Sequence, residues 1–130
     1  MREMNPEAGE PPAEVYGHHL ESGVFGYQRC AGCGAAVFYP RVLCPFCGSA
    51  DLVWETSSGR GVVYATTAVY RRESEPYNVA LINLQEGFRM MSRVDGVPAE
   101  EVDVGARVTL SLAPTDEGPL PVFVPEGEDL

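Results

Sequence analysis

The sequence predicts a mainly β protein in which an N-terminal helix and a ribbon built around four cysteines precede a small closed barrel. Three observations lead to this fold class. Residues 13–22 place apolar side chains on one helical face, two closely spaced cysteine pairs follow, and the remainder consists of short segments rich in β-branched and aromatic residues. A chain of 130 residues can hold one ordinary domain, or a small module joined to such a ribbon.

The two ends of the chain have the composition of segments without fixed structure. Residues 1–12 are rich in Pro, Glu and Gly and show no hydrophobic periodicity, so we predict a mobile acidic arm. Residues 126–130 form a short acidic tail. The helix predicted after the arm ends at Gly23, because glycine readily adopts the left-handed conformation that terminates helices.

The four cysteines form two Cys-x2-Cys pairs separated by ten residues. Zn²⁺ takes four thiolates at about 2.3 Å, and two intervening residues let both side chains of a pair reach one ion. A glycine follows each pair and permits the positive φ that a metal knuckle often needs. The helix and ribbon together, residues 13–53, are therefore predicted to hold a structural zinc ion with no open coordination position. The predicted ligands are Cys30, Cys33, Cys44 and Cys47.

The same cysteines would also suit two disulfides, a redox dithiol or a four-thiolate iron site. Disulfides need an oxidising compartment, and residues 1–12 lack the apolar core of a secretory signal. A redox Cys-x2-Cys is expected on a βαβ pattern, which does not follow here. The spacing alone does not choose between zinc and iron, so an iron site of the rubredoxin type stays open.

From residue 54 onward the hydrophobic pattern is that of β-strands with short turns. Strands are predicted at residues 61–70, 77–84, 88–94, 107–112 and 119–124. A hairpin turn is predicted at Glu86 and Gly87, and a single helical turn at residues 98–102. Five short strands with one small helical insertion indicate a barrel of the OB type over residues 54–125.

Charge and hydropathy limit the classes of partner. The formal net charge is −10 and lysine is absent, but residues 24–99 carry six acidic side chains against seven arginines. A general nucleic-acid binder needs a basic surface that releases counterions, so nucleic acid is not the favoured partner. The longest apolar runs are far too short to span a bilayer. We therefore expect a cytoplasmic protein with no membrane partner.

The sequence offers no evident catalytic group. The two histidines, His18 and His19, are adjacent on the predicted helix, so we expect one to be solvated and the other half-buried. Every cysteine is assigned to metal, and no lysine is present to act as a nucleophile. The prediction is therefore that this chain contributes no catalytic residue of its own.

Three arginines are candidates for binding phosphate groups. Arg60 lies between two glycines in the loop that leads into the first barrel strand, where glycine allows a close backbone approach. Arg71 and Arg72 end the same strand. A guanidinium fork matches phosphate oxygens, although each of these arginines could equally be solvated. At the tip of the ribbon, Phe38 and Tyr39 are candidate exposed aromatic side chains, which would either dock onto a partner or pack locally.

The chain resembles a known family, domain-of-unknown-function family 35. The resemblance rests on Tyr-Gln-Arg-Cys-Ala-Gly-Cys-Gly at residues 27–34, Cys-Pro-Phe-Cys-Gly-Ser at residues 44–49, and Ser-Gly-Arg-Gly-Val-Val-Tyr at residues 58–64. It covers roughly residues 13–125. Members of this family consist of an N-terminal helix, a rubredoxin-like zinc ribbon and a C-terminal OB-fold, which is also the order predicted above.

The resemblance implies an accessory role in acyl-CoA chemistry. Such proteins bind a thiolase-like enzyme of the thiolase, aldolase or acyl-CoA synthase type, scaffold the complex and help to enclose the acyl-CoA, while the catalytic residues belong to the partner. A heterotetramer is expected, and Arg60, Arg71 and Arg72 would then meet CoA phosphates. Two other functions stay open: an OB-fold protein that binds single-stranded nucleic acid, and a stand-alone acyl-CoA-binding protein.

Overall fold

The computed structural model describes residues 11–126, which contain one α-helix, one 3-10 turn and eight β-strands in two sheets. Residues 1–10 and 127–130, which include most of the predicted arm and tail, lie outside the described residues. No helix among residues 11–126 is both long and apolar enough to cross a membrane.

Helix α1 spans Pro12–Glu21, within one residue of the predicted helix. It begins with proline, whose fixed φ and missing N–H suit the first turn. Two residues after its last residue, Gly23 has φ +80°, and the Val24 N–H donates to the His19 carbonyl at 2.8 Å. Val15 and Leu20 are the side chains that the helix buries. The apolar periodicity therefore predicted both the helix and its buried face.

The ribbon is a three-stranded antiparallel sheet with β1 (Gly26–Cys30) between β2 (Ala36–Val37) and β3 (Leu52–Thr56). Trp54 on β3 is buried, and the His19 ring of α1 packs edge-on against it with ring centroids 5.0 Å apart. A Cβ at Gly26 would lie 2.6 Å from His19 Nδ1. Glycine at this position is therefore what allows α1 to lie directly on the ribbon sheet.

The second sheet consists of five strands in the order β6-β5-β4-β7-β8. Their bounds are Arg60–Arg71 (β4), Ser74–Leu84 (β5), Arg89–Ser92 (β6), Arg107–Thr115 (β7) and Gly118–Pro125 (β8). The 3-10 turn Ala99–Glu101 lies between β6 and β7. All five predicted strands and the helical insertion are confirmed, with strand ends that differ by a few residues.

The five-stranded sheet closes into a barrel through a parallel bridge between Val94 and Phe123. The Asp95 N–H donates to the Phe123 carbonyl at 2.7 Å, and the Phe123 N–H donates to the Arg93 carbonyl at 3.0 Å. Phe123 is fully buried at this closure. Parallel pairing of the third and last barrel strands, with antiparallel pairing elsewhere, gives the OB-type barrel that the sequence predicts.

Ribbon and barrel meet through a cluster of aromatic rings. Phe38, just after β2, stacks on Phe88 of the barrel with ring centroids 5.0 Å apart and an angle of 23° between the rings. Tyr16 of α1 and Phe25 pack edge-on against Phe38, each at 5.6 Å. Of the two alternatives for the ribbon tip, Phe38 packs locally and is not an exposed side chain, whereas Tyr39 is exposed. Pairing of β2 with β1 turns Phe38 towards the barrel.

The aromatic cluster joins the two parts into one core. Leu20, Phe25 and Tyr27 belong to the same buried cluster as the barrel residues Phe88 and Phe123. In a ribbon with a separate core, bound metal would stabilise the ribbon alone. The continuous core makes the barrel depend on the ribbon as well, because an unfolded ribbon would expose the Phe88 side of the barrel to water.

We expect Phe38→Ala to lower the free energy of unfolding by about 3 kcal/mol, because it removes the ring that packs against four others. Phe46→Ala is a matched control with the same chemical change in the same ribbon, at a side chain that is 71% exposed. It should cost no more than about 0.5 kcal/mol. Urea unfolding of both variants measures the difference, and equal losses would contradict a shared core.

Candidate functional site

The two cysteine pairs lie in knuckles of the same construction. In the first, the Gly34 N–H donates to the Cys30 carbonyl at 2.8 Å; in the second, the Gly48 N–H donates to the Cys44 carbonyl at 2.9 Å. Gly34 has φ +81° and Gly48 has φ +82°, a region that side chains rarely tolerate. The glycine after each pair is therefore required by the turn, as the sequence predicts.

The knuckles bring four sulfur atoms to one point. The Sγ atoms of the four cysteines lie within 4.8 Å of one another, and all four cysteines are free thiols. Sγ of Cys30 is 3.6 Å from Sγ of Cys47, and Sγ of Cys33 is 3.7 Å from Sγ of Cys44. Bonds of about 2.3 Å to a tetrahedral zinc ion would set the sulfurs about 3.8 Å apart. The sulfur positions therefore fit zinc, which when bound would hold the two knuckles together.

Backbone N–H groups favour the thiolate form of Cys30 and Cys44, whereas contacts with neighbouring cysteines and burial raise the pKa of Cys33 and Cys47. The Cys33 N–H donates to Cys30 Sγ at 3.4 Å and lowers the pKa of this thiol to about 7. Burial raises the pKa of the Cys44 thiol, but N–H groups of Phe46 and Cys47 outweigh burial, and the net pKa is lowered. Hydrogen bonds to the charged form are the usual means of activating a metal-binding cysteine.

The loop between the knuckles is fixed by one buried amide side chain. Gln28 on β1 donates from Nε2 to the Arg41 carbonyl at 2.9 Å and accepts the Arg41 N–H at Oε1 at 2.7 Å. The side chain thus pairs with both backbone groups of Arg41, as a neighbouring strand would. A buried Gln is stable here because both ends of its amide are hydrogen-bonded.

A chain of hydrogen bonds links the first knuckle to the loop before β4. Arg29 donates to the Gly34 carbonyl at 3.1 Å and to the Glu86 carbonyl at 3.5 Å. The Glu86 carboxylate accepts the Ser57 hydroxyl and the Ser58 N–H, both at 2.7 Å. Burial raises the pKa of Glu86, but these hydrogen bonds outweigh burial and lower it. The loop that precedes Arg60 is therefore held by a charged acceptor.

The structure separates the three arginines that the sequence marks as phosphate candidates. Arg60 begins β4 and lines an open cavity of about 500 Å³ together with Arg107. Arg71 and Arg72 lie eleven and twelve positions further along, at the tip of the β4–β5 hairpin, up to roughly 35–40 Å away for an extended strand. Arg71 there lies over the Tyr77 ring at 4.7 Å. One phosphate group cannot contact both ends of β4.

The two histidines lie as the sequence predicts. His18 is exposed and His19 is half-buried against Trp54. Met90 is buried and Met91 is exposed, in accordance with the alternation of a strand. Sequence reasoning missed Arg89 and Arg107 as neighbours of Arg60. Strand alternation gives the face of each arginine, but the pairing of β4 with β7 joins residues more than forty positions apart.

Exposed apolar side chains gather at the second knuckle. Val42 is 70% exposed, Leu43 53% and Phe46 71%, and we call these three residues the knuckle patch. Each lies within four positions of Cys44, so the metal site would fix their backbone. Contiguous exposed apolar side chains on a rigid support are typical of a surface that another protein covers.

Two sequence models match consecutive parts of the chain. The model described as ChsH2, rubredoxin-like zinc ribbon domain, matches residues 18–53. The model described as ChsH2, C-terminal OB-fold domain, matches residues 54–113. Together they cover both the four-cysteine ribbon and most of the barrel.

Two relatives illustrate the range of similar proteins. A "probable enoyl-CoA hydratase alpha subunit" of Thermomonospora curvata is 36% identical over 105 residues, which are 75% of this chain and 32% of the relative. A "DUF35 domain-containing scaffold protein" of Methanocaldococcus jannaschii is 33% identical over 86 residues, or 62% of this chain and 61% of the relative. The chain thus matches about a third of the first relative's length and about three fifths of the second's.

One solved structure resembles the whole arrangement of ribbon and barrel. It is described as "Ltp2-ChsH2(DUF35) aldolase" and is 29% identical to this chain. The match covers 93% of this chain and 98% of that one, with a TM-score of 0.78. The likeness therefore extends over both parts of the fold in one superposition.

We expect Cys44→Ser to abolish metal binding and to lower the melting temperature by at least about 10 °C, because both the ribbon and the aromatic contact with the barrel depend on the knuckles. Native mass spectrometry should find one zinc ion per wild-type chain and none in the variant. Val42→Ser, an exposed neighbour in the same loop, should keep the metal and the melting temperature. A Cys44→Ser protein with a full complement of zinc would contradict the four-thiolate site.

Proposed function

Because this chain belongs to the ChsH2 family, in which a rubredoxin-like zinc ribbon precedes an OB-fold domain, we propose that it is a scaffold subunit of a thiolase-like enzyme. In this function it binds an enzyme of the thiolase, aldolase or acyl-CoA synthase type and helps to enclose the acyl-CoA. The catalytic residues are those of the partner. The complex contains two copies of each chain.

The observation that carries this proposal is the likeness to the ChsH2 chain of an aldolase over nearly the whole length of both chains. An OB barrel or a four-cysteine ribbon alone occurs with many functions. Their joint placement, with α1 packed on the ribbon and Phe38 on the barrel, is a more specific feature. The relative named as an enoyl-CoA hydratase subunit supports acyl-CoA as the substrate class.

Zinc has a structural role in this proposal. All four thiolates come from the chain, so no coordination position remains for water or substrate. A ribbon with only three short strands has too little core to hold its knuckles together otherwise. What the metal supplies is the rigidity of the second knuckle and of the exposed side chains on it.

The knuckle patch is the surface that we assign to the partner. Its three apolar side chains would lose contact with water in a complex, which favours association by about 25 cal/mol for each Å² of apolar surface removed. The loop residues Arg41 and Ser49 on either side of it carry no negative charge. A partner surface that is apolar at its centre would fit there.

CoA contact is assigned to Arg60 at the start of β4. This residue lines a cavity of about 500 Å³, in the size range of small-ligand sites. Arg71 and Arg72 stay a separate prediction, because they lie at the far end of β4. Two arginines at the tip of a protruding hairpin could reach a CoA phosphate only if the partner presented it there.

We expect Phe46→Asp to abolish the complex with the thiolase-like partner, because the variant places a charge in the centre of the apolar contact. Co-expression of the tagged chain with that partner, followed by native mass spectrometry, should give a complex of two copies of each chain for the wild type. Val104→Asp introduces the same charge at a barrel side chain that is 66% exposed and should leave the complex intact.

The zinc content of both variants is measured in the same spectra, so that loss of the ribbon is distinguished from loss of the interface. A wild-type chain that carries zinc and captures no thiolase-like protein would refute the scaffold function. Equal loss of the complex in the Phe46→Asp and Val104→Asp proteins would instead refute the assignment of the interface to the knuckle patch.

A further inference from the structure

Three arginines form a row across the outer face of the barrel. Arg107 on β7 is paired with Val62 on β4, Val62 with Asn83 on β5, and Asn83 with Arg89 on β6. Side chains of directly paired residues point to the same face of a sheet. Arg60 lies two positions before Val62 and shares that face. We call Arg60, Arg89 and Arg107 the arginine row.

The register also fixes the spacing within the arginine row. Arg60 and Arg107 are diagonal neighbours on adjacent antiparallel strands, so their Cα atoms are about 7–8 Å apart. Arg107 and Arg89 are separated by three strand spacings, or roughly 14 Å. Two guanidinium groups can therefore converge on one phosphate group, while the third lies within the length of one nucleotide.

Arg60 and Arg107 have no acidic partner among residues 11–126. The ion pairs in this part of the chain are Arg29–Glu55 and Arg93–Asp95. Glu126 lines the same cavity without forming an ion pair with either arginine. Two like charges this close repel each other, and a bound phosphate would remove that repulsion. Such a pair is unusual in a chain of net charge −10.

Arg89 is held in position by two contacts. Its Nε donates to Asn83 Oδ1 at 2.6 Å, and its guanidinium lies 3.6 Å from the centre of the Tyr64 ring. The pairing of β4 with β5 shifts at Tyr64, so Tyr64 has no directly paired residue on β5. Arg89 is exposed, so the face of the guanidinium away from Tyr64 is open to a nucleobase.

The surface around the arginine row is concave. The cavity at Arg60 and Arg107, of about 500 Å³, adjoins a second cavity of about 470 Å³ at Arg89. Asn83 and Leu84 line both. A nucleotide laid across Asn83 would extend from the paired guanidiniums to the Arg89–Tyr64 stack.

We propose that the arginine row binds the nucleotide portion of a CoA thioester. Arg60 and Arg107 together bind a phosphate group, and the adenine ring stacks on Arg89. This inference rests on the proposed function for the identity of the ligand. It adds a binding site formed by four strands, in which Arg89, Arg107 and Tyr64 have roles. Arg71 and Arg72 have no role in this site.

The test uses the full chain, zinc-loaded, with 3′,5′-ADP as the probe. Titration followed by ¹⁵N NMR should give saturable shifts at β4, β5, β6 and β7 and a single dissociation constant. Arg60→Ala/Arg107→Ala should weaken binding at least about tenfold, because charge-assisted hydrogen bonds to the phosphate are lost. Arg71→Ala/Arg72→Ala makes the same change in net charge and should alter the constant by less than about twofold.

Arg89→Leu should weaken binding of 3′,5′-ADP and leave binding of inorganic phosphate unchanged, since it removes the stacking surface for the base. Well-dispersed spectra and one zinc ion per chain establish that each variant is folded. The inference is overturned by the absence of saturable shifts, by equal losses in the two double variants, or by inorganic phosphate binding as tightly as 3′,5′-ADP. Tighter binding of a thymidine oligonucleotide than of 3′,5′-ADP would also overturn it.

Native mass spectrometry of Arg60→Ala/Arg107→Ala with the thiolase-like partner separates this inference from the proposed function. A wild-type chain that forms the complex but does not bind 3′,5′-ADP overturns the nucleotide site and leaves the scaffold function. A wild-type chain that binds 3′,5′-ADP but forms no complex overturns the scaffold function alone. The variant is expected to form the complex and to lose the nucleotide.

Discussion

The convergence of four thiols on one point is the constraint on which the ribbon depends. Cys30 and Cys44 are buried beside Val37 with Leu52 packed against them, and this small cluster is the apolar core at the knuckles. Sulfur separations of 3.6 and 3.7 Å are short for groups that carry charge when ionised, so a cation at their centre is the natural source of cohesion. The positions of the two knuckles relative to each other follow from this closure.

Through the aromatic cluster, the closure of the four-thiol site also affects the barrel. Phe38 lies between the knuckles in sequence and on Phe88 in space, so a fixed ribbon also fixes one side of the barrel core. The hydrogen bonds of Arg29 to Gly34 and to Glu86 form a second connection between the first knuckle and the barrel. A metal ion in the ribbon would thus help to position the loop before Arg60, although Arg60 itself lies in the five-stranded sheet.

Local patterns were sufficient for the elements and for the metal site. Two residues between cysteines and a glycine after each pair predicted both knuckles, because the requirement lies within five consecutive residues. Alternation along a strand likewise puts the neighbours Met90 and Met91 on opposite faces, and the structure buries Met90 and exposes Met91. The environment of Phe38 could not be read in this way, since its burial results from packing against α1 and Phe88 rather than from its neighbours in the sequence.

The sequence by itself determined the helix, the four-thiol ribbon, the five barrel strands and the resemblance to a family, because each depends on residues close together in the chain or on a fixed spacing. Only the tertiary structure decided which arginines share a surface. Pairing of β4 with β7 places Arg107 beside Arg60, whereas the length of β4 separates Arg60 from Arg71. Strand pairing sets distances between residues that are remote in sequence, and no local pattern encodes them.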